Sequence, residues 1–383
     1  MAKPPKLKVA LVLDDGLDKP DGVQQYVLSV GRWLSAQGHE VHYLVGQTAR
    51  TDVTNTHSLS RNIRVSSNGN RLTIPLPTSR KKLGKLLEDE QFDVLHVQTP
   101  YSPFMGGRLI ALAGPRTAVV GTFHILPNSP LISIGNWLLG VWCRRTLKRF
   151  DAMLSVSSSA AQFALKTFRV RSEISPNVID YDRFVSARPL PQYDDGVLTI
   201  LFLGRLVPRK GCQVLLKALA ILKDRTDLPK FRLVICGHGP LESQLRRDRQ
   251  KYGLEDVVEF AGFVDEASKT GYYASADIAV FPSSGGESFG IVLIEAMAGG
   301  HAVVLAGNNP GYGSVMAPQP ELLFDPRDAA VLADRIAEYL LNSKQRLEMA
   351  AWGKRYAQQF DVSVVGPMLI DVYNKALRKR STQ

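Results

Sequence analysis

Short continuous runs of aliphatic residues recur along the chain, separated by stretches with helical spacing. In the first half they are Lys8–Leu13, Glu40–Val45, Phe92–Val97 and Thr117–His124; in the second, Leu198–Leu203, Phe231–Cys236, Val257–Ala261, Ala276–Phe281 and Ala302–Leu305. Their apolar positions do not alternate with polar ones, which suits parallel strands covered on both faces. Strands alternating with helices in this way predict an α/β architecture, and the pattern occurs twice, so two tandem Rossmann-like, doubly wound domains are expected. The Pro- and Asp-rich stretch Arg188–Gly196 marks the crossover, giving domains at residues 1–190 and 191–361. A last helical segment, within residues 362–383, carries Val364, Val365, Met368, Leu369, Val372 and Tyr373 at helical spacing and needs a surface to cover.

Length agrees: 383 residues exceed one ordinary domain and suit two, each with its own core. No uncharged apolar run approaches the ~20 residues that span a bilayer, and Met1–Lys8 lacks the apolar core of a signal peptide. A soluble, cytoplasmic protein is expected. Cys143, Cys212 and Cys236 have neither metal-ligand spacing nor a disulfide framework, and no metal is implied. The net charge of +11 is uneven: residues 1–190 carry 24 Lys+Arg against 14 Asp+Glu, and residues 191–383 carry 23 against 22. The basic first half calls for an anionic partner: a phosphorylated substrate, an anionic membrane or nucleic acid, the last without any accompanying binding signature.

In open α/β sheets ligands bind at the carboxyl ends of the strands, so the loops after strands carry the chemistry. The segment Gly285–Ala298 places two carboxylates, Glu287 and Glu295, eight residues apart at an apolar helix start. A carboxylate within Ile291–Ala298 must be hydrogen-bonded or it costs several kcal/mol, so a polar ligand or partner is expected at Glu295. The loop Gly204–Gly211 offers Arg205, Arg209 and Lys210 where a diphosphate would sit, with Arg209 the cation expected to face water. Gly237-His238-Gly239-Pro240 and Gly262-Phe263-Val264 follow the next two strands and permit close approach of backbone. In the first half, Asp14–Gln25 leads into an amphipathic helix, with Asp21 expected as its N-cap, and His124 ends a strand.

The segment Gly286-Glu287-Ser288-Phe289-Gly290-Ile291-Val292-Leu293-Ile294-Glu295-Ala296-Met297-Ala298 resembles the paired-glutamate motif of retaining family 4 glycosyltransferases of the GT-B fold, most of all the bacterial phosphatidylinositol mannosyltransferases. Gly38-His39-Glu40-Val41, Phe92–His96, Thr122-Phe123-His124, Pro176-Asn177 and the Gly-Arg…Lys-Gly loop occur in that family's order. The resemblance implies a GT-B enzyme with an inter-domain cleft, whose C-terminal helix crosses back onto the first domain. It implies a nucleotide-sugar donor, GDP-mannose first and a UDP-hexose next, and no further cofactor. Arg205 and Lys210 would neutralise the leaving diphosphate. Glu287 and the backbone of Phe289, Gly290 and Ile291 would hold the transferred sugar and diphosphate. Glu295 would hold the ribose hydroxyls, Gly237, Gly239 and Val264 would border the nucleoside, and Gly22 would approach the donor. His124 would stand beside the sugar and the attacking hydroxyl, and Gln24, Asn68 and Arg71 would face the acceptor. Two departures stand out: Asp21 where relatives have glycine, and Val178 where many have the glycine of Pro-Asn-Gly. The loop Gly307–Gly313 also differs and keeps the donor open.

Ser79–Leu87 reads as a short basic amphipathic helix, capped by Ser79, with leucines opposite Arg80, Lys81, Lys82 and Lys85. This is the composition of an interfacial helix and occupies a similar position in the mannosyltransferases, so a peripheral site at the inner membrane face and a lipid acceptor are implied. A second apolar run, Leu131–Trp142, is expected mainly in the core, with lipid contact as the alternative. The rival readings are transfer to a soluble phosphorylated acceptor, a non-catalytic nucleotide-binding protein, and a nucleotide-sugar epimerase. Oligomeric state is open.

Overall fold

The computed structural model describes residues 6–19, 21–67, 70–126 and 130–382. The chain forms two compact units, Met1–Val178 with Val362–Gln383, and Ile179–Asp361. In the first unit the order is β1 (Lys8–Leu13), α1 (Gly22–Ala36), β2 (Glu40–Val45), β3 (Thr56–Ser58), β4 (Asn62–Ser67), β5 (Asn70–Pro75), α2 (Arg80–Glu90), β6 (Val94–Gln98), α3 (Met105–Leu112), β7 (Ala118–Phe123), α4 (Pro130–Trp142), α5 (Arg144–Leu147), β8 (Ala152–Ser155), α6 (Ser158–Phe163) and β9 (Glu173–Ile174). The second unit runs α7 (Tyr181–Val185), β10 (Leu198–Leu203), α8 (Cys212–Leu222), β11 (Phe231–Cys236), α9 (Glu242–Lys251), β12 (Val258–Gly262), α10 (Lys269–Ala274), β13 (Ile278–Phe281), α11 (Ile291–Gly299), β14 (Val303–Gly307), α12 (Pro310–Val315), β15 (Leu323–Phe324), α13 (Ala329–Leu341) and α14 (Ser343–Ala357). α15 (Val362–Ser381) then returns to the first unit.

Both main sheets are parallel, in the orders β3-β2-β1-β6-β7-β8-β9 and β12-β11-β10-β13-β14-β15. The continuous apolar runs are explained by β1, whose two faces are both buried. Val9, Leu11 and Leu13 pack with Tyr26 and Val27 of α1 and Leu369 of α15, while Ala10 and Val12 pack with Leu83 of α2 and Leu109 of α3. Two doubly wound Rossmann-like sheets are thus present, as the pattern predicts.

Four local expectations change. Residues 179–190 belong with the second unit, because α7 packs against α10 and α11, so the first unit's main segment ends at Val178 rather than 190. In α15 the helix buries Val365, Leu369, Tyr373 and Ala376, while Val364 and Met368 lie in solvent. The leucines of α2 are not free: Leu83 is fully buried and Leu86 and Leu87 pack on the same core, and Ser79 makes no side-chain cap bond. Conversely α4 leaves Trp137, Leu138, Val141 and Trp142 exposed. The antiparallel pair β4–β5 has no counterpart in the sequence reading; Asn68 lies outside the described residues, and Arg71 is placed by its backbone in β5.

Candidate active site

In the second unit the loop after β10 and the loop before α11 meet through charge. Glu287 Oε1 accepts from Lys210 Nζ at 2.9 Å, from Ser283 Oγ at 2.9 Å and from the Arg209 guanidinium. Arg209 therefore does not face water. The single turn Pro208–Lys210 aims it at Glu287, and its own carbonyl accepts the Ser284 N–H at 2.8 Å, tying the two loops together. Burial pushes the Glu287 carboxyl upward, but the Lys210 and Arg209 charges outweigh it and hold the group at about 2. Glu287 is thus an ionised acceptor at every physiological pH. Arg205 is half-buried beside the cluster, and its charge adds to the pressure on Lys210.

Glycine is required where α11 begins. Gly290 has φ of +105°, and a Cβ there would lie 2.5 Å from the Tyr312 ring. Helix α11 then starts at Ile291, so its first N–H groups lack intrahelical carbonyls and present a partial positive charge to an anion. The Phe289 side chain turns away and packs edge-on against Phe360 at 5.5 Å, leaving its backbone at the helix start. The divergent loop Gly307–Gly313 supports this region from behind. Asn309 caps α12 by accepting the Tyr312 N–H and donates to the Ser283 carbonyl at 2.9 Å.

Glu295 needs no ligand to satisfy it. Oε1 accepts from Lys269 Nζ at 2.7 Å and Oε2 from the Tyr273 hydroxyl at 3.0 Å, and the carboxylate is 4% exposed. Burial presses Lys269 downward, yet Glu295 and Glu266 outweigh it and keep the ammonium charged. Lys269 and Tyr273 were missed in the sequence, although their i,i+4 spacing puts both on one face of α10. Each Glu295 oxygen still has acceptor capacity for a hydroxyl.

Gly237 and Gly239 are also explained by the chain itself. A Cβ at Gly237 would lie 2.0 Å from the Gly204 carbonyl oxygen, and one at Gly239 2.3 Å from that of Leu206, so the two loops touch backbone to backbone. Val264, partly buried, follows Phe263, whose exposed ring stacks on His238 at 6.3 Å and 15°.

In the first unit the candidates gather at the carboxyl ends of β1, β6 and β7. His124 is 5% exposed, Nε2 lies 2.6 Å from Gln98 Oε1, and the Tyr26 ring meets it edge-on at 4.9 Å. Burial drives its pKa down to about 3, opposed by a hydrogen bond with Asn177, so the ring is neutral. Gly22 opens α1, and the preceding Asp21 has N-cap backbone geometry but makes no side-chain cap bond. Gln24 is buried, with Nε2 3.4 Å from Asp15 Oδ2. The aspartates of this loop have structural partners: Asp14 accepts from Gly106 N–H, Asp15 from Gly16 N–H and Asp18 from Ala49 N–H. Elsewhere in this unit His42, His57 and Glu90 come together, but Lys8 Nζ, 2.6 Å from Glu90 and 3.0 Å from Glu40, already supplies the cation.

Two Rossmann-like units, with cations and a helix N-terminus at the strand ends of the second, define a glycosyltransferase of the GT-B fold. Residues 20–183 match the family model for Glycosyltransferase Family 4 and residues 188–356 that for Glycosyl transferases group 1, and the chain belongs to this family. It is 32% identical over 374 residues to the phosphatidyl-myo-inositol mannosyltransferase of Mycobacterium leprae, covering 96% of each chain. Among solved structures it is similar to a glycosyltransferase from Rickettsia africae (TM-score 0.76, 18% identity, 97% of this chain and 99% of that one). It is also similar to Anabaena HepE in complex with UDP and glucose (TM-score 0.74, 18% identity, 96% and 99%). No described helix is long and apolar enough to cross a membrane.

Proposed function

We propose that this glycosyltransferase moves mannose from GDP-mannose to a phosphatidylinositol-type lipid at the inner face of the membrane, with retention of the anomeric configuration. The observation that carries the reading is the Arg209–Lys210–Glu287 cluster beside the α11 N-terminus, a place where anionic and hydroxyl-bearing groups can be held side by side. The names of the mannosyltransferase relatives support the choice of sugar and acceptor.

In this account Arg205 and Lys210, with the free N–H groups at Ile291, stabilise charge as it builds on the departing diphosphate. Glu287, locked in its ionised form, accepts hydrogen bonds from the sugar hydroxyls and fixes the sugar's orientation rather than donating a proton. Glu295, braced by Lys269 and Tyr273, receives the ribose hydroxyls, and Phe263 borders the base. His124 is a neutral imidazole hydrogen-bonding beside the sugar, so it positions rather than protonates. The acceptor hydroxyl then attacks on the face from which the diphosphate leaves, and the diphosphate takes its proton.

Transfer of radiolabelled mannose to phosphatidylinositol vesicles tests the reading, with the anomeric configuration of the product read by NMR. Solvent-extractable label in an α-linkage is expected. Label confined to a water-soluble phosphorylated product would replace the lipid acceptor, and a β-linkage would overturn the same-face mechanism.

A further inference from the structure

The membrane contact implied by a lipid acceptor needs apolar surface, and α2 cannot supply it. Leu83 is fully buried and Leu86 and Leu87 pack on the core, so α2 turns no leucine to solvent: its first turns expose the cations Arg80, Lys81, Lys82 and Lys85, and its last turn exposes Glu88 and Asp89. Four large exposed apolar side chains are grouped on α4. Trp137, Leu138, Val141 and Trp142 are 56%, 58%, 58% and 73% exposed. Their i, i+1, i+4, i+5 spacing sets them on one face. The opposite face is taken: Leu139 packs on the aromatic cluster of Tyr101, Phe123 and Phe168, Gly140 lies against Phe168, and Cys143 donates to the Tyr101 carbonyl. Among its described side chains, the helix is held by one side through Leu139 and Gly140 and is bare on the other at Trp137, Leu138, Val141 and Trp142.

Charge decides what covers the bare side. Between Asp93 and Asp151 the sequence has no acidic residue and six Lys or Arg. Asp151 itself is spent internally, paired with Arg149 at 3.2 Å and Arg380 at 2.7 Å. Exposed Arg144, Arg145 and Lys148 follow the tryptophans directly, and the π-helical turn Ala164–Phe168 that packs on α4 carries exposed Lys166 and is followed by exposed Arg169. Exposed tryptophans bordered by cations with no compensating acid are the composition of a surface that enters an anionic lipid interface, the rings at headgroup depth and the cations at the phosphates.

Resting on the lipid-acceptor reading above, we infer that the exposed face of α4 is the segment that inserts into an anionic bilayer, while α2 contributes attraction at a distance. The two helices then differ in mechanism. Salt weakens what α2 does, since its charges act through water, and leaves the α4 contact once formed.

The test uses the full chain with vesicles of phosphatidylglycerol and phosphatidylcholine whose acyl chains carry bromine, which quenches tryptophan only at contact. Quenching is expected with the wild type, at least a five-fold loss of it in Trp137→Ser/Trp142→Ser, and its retention at saturating lipid in Lys81→Ser/Lys82→Ser/Lys85→Ser. All four substituted aromatic and aliphatic positions are exposed, and circular dichroism checks the fold; Leu138→Ser/Val141→Ser, which keeps both tryptophans, should weaken quenching as well. Vesicle binding without quenching would overturn the inference, as would a concentration-dependent dimer that the Trp137→Ser/Trp142→Ser variant abolishes, since a second copy would then be the occupant. The functional reading fails separately: quenching without lipid-dependent GDP release leaves the α4 contact standing, whereas transfer to a micellar short-chain lipid without quenching leaves the enzyme assignment standing.

Discussion

Glu287 is the residue on which stability and the proposed chemistry converge. Its carboxylate neutralises two partly buried cations, so Glu287→Gln leaves Arg209 and Lys210 unpaired, and breaking a buried pair costs about 3–5 kcal/mol. The expected outcome is a lower melting temperature for the free protein and partial recovery on adding GDP, whose diphosphate replaces the missing charge. Turnover should fall about 100- to 1000-fold, the range for losing one preorganised polar contact, while GDP binding by calorimetry persists. Wild-type turnover would remove Glu287 from the site. Lys269→Met tests the second carboxylate: Glu295 becomes a buried charge without its cation, and a stability loss of similar size is expected, with Tyr273→Phe costing less because only a hydrogen bond is removed. That a glutamate inside Ile291–Ala298 must be satisfied was legible from sequence. Who satisfies it was not, since α10 lies 26 residues earlier and only the fold brings Lys269 alongside.

Among elements, the strands and their parallel order could be read because both faces of each sheet are covered and the apolar runs are unbroken. The faces of α2, α4 and α15 could not, because periodicity says that a helix has an apolar side but not which neighbours exist to cover it. For α2 the core covers it; for α4 the core covers Leu139, and no described residue covers Trp137, Leu138, Val141 and Trp142. The start of α11 was legible as a motif, but its dependence on glycine is conformational. Gly290→Ala sets a side chain at positive φ against the Tyr312 ring, and a loss of about 1–3 kcal/mol from the backbone conformation alone is expected in chemical denaturation. An unchanged midpoint would mean that the loop relaxes freely. Within β6 and just past the end of β7, His96 and His124 are both held neutral by burial, each with a pKa near 3. An unfolded imidazole titrates near 6.5, so between pH 6.5 and about 3 the unfolded chain binds protons that the folded one refuses. Their contribution is therefore complete above about pH 6.5 and is lost as pH falls toward 3. Melting temperatures should be level above pH 7 and decline below 6.5, with a further decline below about 4.5 as Glu287 is protonated on unfolding. A rise in stability on acidification through pH 6 would contradict the burial of both rings.

For the molecule as a whole, the proposed function divides the work between two units of similar build: cations and a helix N-terminus for a nucleotide sugar in the second, a neutral histidine and an acid-poor, tryptophan-bearing surface in the first. The chain's last helix belongs to the first unit, where the Tyr373 hydroxyl meets His96 Nδ1 at 2.8 Å and Gly366 lets Trp33 approach. Removing residues 362–383 should therefore unfold the first unit while leaving GDP binding by the second, measurable by limited proteolysis and calorimetry. The central claim, mannosyl transfer to lipid, is tested most directly by nucleotide release from GDP-mannose, UDP-glucose and UDP-galactose, each with and without anionic vesicles containing phosphatidylinositol. The account predicts GDP release from GDP-mannose alone, and only when the vesicles are present. Release indifferent to vesicles, release from a UDP-sugar instead, or none from any donor would contradict it.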